Sequence, residues 1–160
     1  MNDFIPRPGM YGVTRTKSRS GILIRIGTLS EWDHAFIYVG DGLIVEAAWG
    51  GVRVALLSKY PRIAFNRHED LTAAEVASII AFAKSREGER YGFLEILVIV
   101  LRKLGLRAFT DRASTWLDKR KGLICSQLVS LAYKSADMAL TNKLDNLVTP
   151  ADLAERMLFL

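Results

Sequence analysis

Cysteine is nearly absent: the chain of 160 residues contains one, Cys125. With no second cysteine there is no internal disulfide, so the thiol belongs to a reducing compartment or is kept for its reactivity. Histidine is almost as scarce, with only His34 and His68, and neither falls in a metal-ligand spacing such as His-Glu-x-x-His. Gly40-Asp41-Gly42 and Gly50-Gly51 stand in β-turn contexts rather than before a helix bearing a Lys-Ser/Thr pair, so no phosphate loop is present. No metal or other cofactor is expected. The longest apolar run, Phe93 to Leu101, is interrupted by Glu95 and is far short of a membrane span. Met1 to Gly12 holds Asp3, Pro6 and Pro8 and no apolar stretch, so it does not read as a signal peptide, and a cytoplasmic start is expected.

What is present fits a single domain over 1–160. Half of the residues are hydrophobic (50%) and 24% are charged, enough for a core without disulfides and unlike a disordered chain. The net charge of +5 favours anionic partners such as acidic lipid headgroups or wall polymers. The denser basic stretches, Arg15-Lys17-Arg19 and Lys119-Arg120-Lys121, read first as solvated surface. No aromatic residues interleave them, so specific nucleic-acid binding is not expected.

The first half reads as β. Gly21 to Ile26 is a short β-rich run, and Ala35 to Val39 is a strand leading into the Gly40-Asp41-Gly42 turn. Leu43 to Ala47 returns, and Gly51 to Ala55 alternates as a further strand of an antiparallel meander. The second half reads as helix. Thr72 with Glu75 forms a capping box ahead of Val76, Ile79, Ile80 and Ala83, with Gly88 as a stop. An apolar helix is expected from about Gly92 to Lys103, another over Ser126 to Ala136, and a third opening at Thr149-Pro150. Strands followed by helices indicate an α+β fold.

Three side chains could carry chemistry. Cys125 stands where the helix through Leu128 and Val129 begins, close to Arg120 and Lys121. A helix N-terminus and nearby cations favour the nucleophilic thiolate, while burial alone would make it a small hydrophobe. His34 opens a strand and reads as structural or as a general base; His68, amid Asn66-Arg67-His68-Glu69-Asp70, reads as a surface loop. A base needs a third group to fix its tautomer. Glu46 is twelve residues on, across the hairpin turn and roughly opposite His34. A carboxylate among Ile44, Val45, Ala47 and Ala48 is out of keeping with a core strand, although a solvent-facing Glu is the plainer reading.

The run Asp33-His34-Ala35-Phe36-Ile37-Tyr38-Val39-Gly40-Asp41-Gly42-Leu43-Ile44-Val45-Glu46-Ala47, then Ile124-Cys125-Ser126-Gln127-Leu128-Val129, then Val148-Thr149-Pro150-Ala151-Asp152, follow one another in that order. In this order the chain resembles the circularly permuted branch of the NlpC-type papain-like hydrolases, the YiiX-like proteins, which are related to the lecithin:retinol acyltransferase-like enzymes. The resemblance spans about residues 11 to 153. It implies a papain-like (permuted NlpC-type) fold, a small antiparallel β-sheet packed against helices. It also implies a Cys125–His34–Glu46 triad, with the Cys125 main-chain N–H at the oxyanion. Tyr91 matches the tyrosine that assists that oxyanion in relatives; a core or rim tyrosine is the other reading. Gln127 departs from the Glu or Gly often found there. The implied activity is thioester-mediated cleavage of an amide in a peptide or cell-wall (peptidoglycan-type) peptide. The alternatives are an acyl-lipid hydrolase or acyltransferase with peripheral membrane contact, and a silent binding module of the same fold.

Overall fold

Three consecutive residues with positive φ, Gly40 at 101°, Asp41 at 53° and Gly42 at 71°, reverse the chain where the sequence predicts a tight turn. Only glycine, or a short polar residue such as Asp, adopts this conformation at low cost. In the computed structural model, which describes residues 4–66, 70–92, 105 and 122–158, this turn joins β2 (His34–Gly40) to β3 (Leu43–Ala48). A second tight turn at Trp49-Gly50, with Gly50 at φ 100°, leads to β4 (Gly51–Leu56) and pairs Ala48 with Gly51. The meander expected from the sequence is therefore present.

The sheet has two more strands, β1 (Tyr11–Thr14) and β5 (Ile63–Phe65), giving the order β4-β3-β2-β1-β5 with antiparallel pairs throughout. Both are short, four and three residues, too brief for alternation to declare itself in the sequence.

Gly21 to Ile26 is not a strand. It lies within α1 (Arg19–Thr28), between β1 and β2, so the expected order of strands first and helices afterwards is also corrected. Ser18 caps the helix by accepting the Gly21 N–H at 3.0 Å. The helical period then turns Gly21 and Ile24 inward and leaves Ile22, Leu23 and Ile26 between 44% and 60% exposed. The β-branched residues that suggested a strand are mostly on the outer face, where packing does not decide the conformation. The all-antiparallel sheet keeps the class α+β.

The remaining helices among the described residues are α2 (Ala73–Ser85), α3 (Cys125–Lys134) and α4 (Pro150–Leu158). The expected helix from Gly92 to Lys103, His68 and the Lys119–Lys121 cluster lie outside the described residues. Thr149 and Asp152 bond reciprocally at the start of α4, the Thr149 N–H donating to Oδ2 at 2.8 Å and the Asp152 N–H to Thr149 Oγ1 at 3.3 Å. Alternate residues of the central strands face two layers. Ala35, Ile37, Val45 and Ala47 pack with Ile79, Leu128, Val129, Tyr133 and Leu153 from the helices. Phe36, Tyr38 and Ile44 pack with Leu57, Tyr60, Ile63 and Phe65 on the other side. α3 crosses β2 and β3 and lies against α2, which brings its first turn to the sheet.

The capping box of α2 is complete, with Thr72 Oγ1 accepting the Glu75 N–H at 3.3 Å and Glu75 Oε2 accepting the Thr72 N–H at 2.7 Å. Thr72→Ala removes one side of it and should lower stability by about 1 kcal/mol. Urea unfolding of the two proteins measures this, and equal midpoints would show that the box contributes nothing.

Candidate active site

Cys125 is the first residue of α3, behind Ile124 in extended conformation (φ −91°, ψ 158°), and no side chain among the described residues caps this helix. His34 is the first residue of β2 and is 5% exposed. Both residues open their elements, so they meet at the end of the sheet.

The His34 ring answers to two groups. Its Nε2 lies 2.9 Å from Glu46 Oε2. Cys125 is the second group that bears on it electrostatically. Burial disfavours charge on the imidazole, but the bond and charge of Cys125, followed by those of Glu46, outweigh it and push the His34 pKa up to about 9. The ring is thus a cation at neutral pH.

Glu46 is fully buried, at 0% exposure, and it is heavily satisfied. Oε1 accepts from Arg53 Nε and Nη2, both at 3.0 Å, and from Lys59 Nζ at 2.8 Å. Oε2 accepts from His34 and from the Tyr60 hydroxyl. Burial alone would raise its pKa; the His34 bond and charge, with the Lys59 and Tyr60 bonds, hold it well below the usual carboxylate range. The solvent-facing reading of Glu46 is corrected. His34 and Glu46 are also not directly opposite. Ile37 pairs with Val45 and Tyr38 with Ile44, so the two are diagonal neighbours on one face, one step apart along the ladder.

Tyr60 stacks on Phe36, with centroids 5.8 Å apart and planes 3° from parallel. Burial and then the Glu46 bond push its phenol far above the ordinary range, so it stays a donor. Tyr91 forms a parallel bridge with Leu123, two residues ahead of Cys125. The Gly92 N–H donates to the Leu123 carbonyl at 3.1 Å, and the Leu123 N–H to the Arg90 carbonyl at 2.8 Å. Burial, followed by the charges of Cys125 and Glu46, raises the Tyr91 pKa and keeps its hydroxyl protonated.

Gly122 permits that bridge. A Cβ there would stand 2.6 Å from the Gly92 nitrogen, which is main chain and cannot swing aside. Gly122→Ala should cost about 2 kcal/mol and displace the strand end that carries Cys125. Thermal unfolding together with the rate of Cys125 alkylation checks this; unchanged values of both would mean the backbones part freely.

A cleft of about 540 Å³ opens over this cluster. Its wall includes His34, Tyr91, Tyr60, Arg53 and Lys59, the β1–α1 loop from Arg15 to Ser18, and Trp49. Cys125 is 2% exposed, packs in the main core cluster and is not among the residues that line the cleft; His34 and Tyr91, which do line it, are the groups that feel its charge. Among the described residues, no group of three or more His, Cys, Asp or Glu side chains is placed to hold a metal ion, and no helix is long and apolar enough to cross a membrane.

The four residues singled out from the sequence are thus near one another. Arg53, Lys59, Tyr60 and Asp33 were missed. Arg53 was legible: a two-residue turn at Trp49-Gly50 puts Arg53 directly across from Glu46. Lys59 and Tyr60 return to the site from an irregular segment and gave no periodic signal. Asp33 is 2% exposed, pairs with Arg25, and accepts the Thr16 N–H at 2.9 Å.

The chain is 25% identical over 153 residues to a protein of Escherichia coli (strain K12) named probable lipoprotein peptidase YaeF; the match covers 81% of this chain and 56% of that protein. The chain therefore spans about half the length of the curated relative it matches. Among solved structures, the crystal structure of the metalloprotein yiiX from Escherichia coli O157:H7 superposes with a TM-score of 0.64 at 18% identity, covering 96% of this chain and 83% of that chain. No protein-family model matches the chain. The fold is that of yiiX, in keeping with the YiiX-like resemblance, and the sequence similarity is to a peptidase-named protein.

Proposed function

We propose that this chain, which shares the yiiX fold and has a peptidase-named relative, is a cysteine hydrolase that cleaves an amide bond in a peptide-type substrate. The observation that carries the reading is the buried His34, bonded through Nε2 to the fully buried Glu46 and under the electrostatic influence of Cys125. A structural histidine needs neither a fully buried carboxylate behind it nor a thiol in front of it.

The steps follow from these partners. Cys125 gives its thiol proton to His34, its sulfur attacks the carbonyl carbon, and the carbonyl electrons move onto oxygen. We assign the Cys125 N–H at the start of α3 and the protonated Tyr91 hydroxyl to that oxygen as donors. As the C–N bond breaks, His34 gives its proton to the departing amine, leaving a thioester and a neutral ring. Water then attacks the thioester, His34 takes its proton, and the thiolate departs with the acid as product. Glu46 holds the ring in one orientation and stabilises its cationic form, while Arg53, Lys59 and Tyr60 hold Glu46.

The pH dependence has a stated direction. A His34 pKa near 9 means that the ring can protonate the amine at neutral pH and loses that ability above about 9. Turnover of an amide should therefore fall on the alkaline side with a limb near that value. A limb near 6.5 would mean that the ring is not held by its two partners.

The test is alkylation of Cys125 by iodoacetamide, located by mass spectrometry, with a peptide bearing an electrophile as the recognition probe. Labelling should proceed well below pH 8 and slow strongly in His34→Ala. The rate and pH profile of free cysteine in both proteins would sink the reading.

A further inference from the structure

The cleft carries more positive charge than the triad requires. Among the described residues its wall holds Arg15, Lys17, Arg53 and Lys59 against one carboxylate, Asp33. That carboxylate is taken up by Arg25, so it offers no counter-charge to a ligand. Arg53 and Lys59 are both directed at Glu46 Oε1, while Glu46 also faces the cationic His34 ring. Three cations share one carboxylate, and Arg15 and Lys17 are added to them.

Arg15 and Lys17 are exposed, yet their loop is held in place. The Thr16 N–H between them donates to Asp33 at 2.9 Å, Arg25 Nη1 donates to the Thr16 carbonyl at 3.0 Å, and the Thr16 and Ser18 hydroxyls are 2.8 Å apart. Gly21 lets the loop close on the helix: a Cβ there would be 2.5 Å from Thr16 Oγ1 and 2.9 Å from the Asp33 carboxylate. The residue before His34 therefore anchors the main chain of the loop that carries two cations on the wall of the same cleft. Two residues of a basic stretch that reads in the sequence as solvated surface line the site.

We infer that Arg15 and Lys17 form an acidic-group subsite, and that the substrate is a peptide carrying a carboxylate placed against them while its amide lies at Cys125. The inference rests on the proposed hydrolase reading for the position of the scissile bond, but the subsite itself is a matter of binding. Two cations carried by an anchored loop are well matched to a carboxylate, because the main chain that bears them does not have to be ordered on binding.

Binding and cleavage separate the two claims. Calorimetry on the Cys125→Ala protein compares a short peptide bearing a glutamate with the same peptide bearing glutamine. The acidic peptide should bind at least about tenfold more tightly, and raising the salt from about 0.05 to 0.5 M should erase most of that advantage. Arg15→Gln with Lys17→Gln should remove the preference, and in the enzyme with its thiol the loss should fall on KM rather than kcat. A phosphoserine version of the peptide serves as a further arm. If it binds far more tightly than the carboxylate, the carboxylate assignment is overturned in favour of phosphate. Equal binding of the acidic and neutral peptides, or a preference that survives the double substitution, overturns the subsite. Preferential binding of an acidic peptide with no cleavage by the thiol-bearing protein upholds the subsite and overturns the hydrolase reading.

Discussion

Cys125→Ala and His34→Ala should each lower amide turnover by at least about 10³-fold, the largest effects expected of any substitution in this chain. The two losses should not multiply in the double variant, because sulfur and imidazole act as one catalytic unit. The fold should survive both changes differently. Cys125 is a small residue at a helix start, so alanine leaves a modest cavity and the first turn of α3 intact. His34→Ala deletes a ring that contacts Tyr60 at 5.5 Å between centroids and leaves Glu46 with its other donors. Thermal unfolding run beside the assay tells chemistry from structure. If His34→Ala loses activity only in proportion to folded protein, the ring is a packing element and the mechanism fails.

Legibility from the sequence followed the length and regularity of each element. The hairpin through Gly40-Asp41-Gly42, the capping box at Thr72 and the helix opening at Thr149-Pro150 are local signals, and the structure has all three. Cys125 at a helix start and His34 at a strand start could be read for the same reason. α1 was misread because Ile22, Ile24 and Ile26 carry β propensity whatever they do, and the Ser18 cap that decides the matter is a single hydroxyl. The clamp on Glu46 was half legible. Arg53 follows from hairpin arithmetic, whereas Lys59 and Tyr60 reach Glu46 from the 3-10 turn at Leu57–Lys59 and the residue after it. The cleft position of Arg15 and Lys17 was hidden because it depends on Asp33 and Arg25 meeting across the α1–β2 connection. Nothing in the local sequence announces that contact.

The second large effect concerns Glu46 and depends on pH. The folded His34 pKa is raised from 6.5 to about 9, so its contribution to stability is complete below 6.5 and is lost as pH climbs through 9. The folded Glu46 pKa is lowered from 4.5, so its contribution is present above 4.5 and is lost as the medium becomes strongly acid. The pair therefore contributes most between those two unfolded-state values. Glu46→Gln keeps the shape and removes the charge, which leaves a buried imidazolium without its carboxylate; the cost there should be about 3 kcal/mol. Arg53 and Lys59, with side chains 45% and 42% exposed, can turn to water once Glu46 is neutral, so they add little to the deficit. His34 cannot, since its side chain is 7% exposed, and its pKa should fall in the variant, drawing the alkaline limb of turnover down with it. Urea unfolding of the two proteins at about pH 5.5 and again at about pH 9.5 reads the deficit, which should shrink at the higher value as the native ring discharges. A deficit that stays constant with pH, joined to an unmoved alkaline limb, would mean that Glu46 supports the packing of the sheet and has no electrostatic hold on His34.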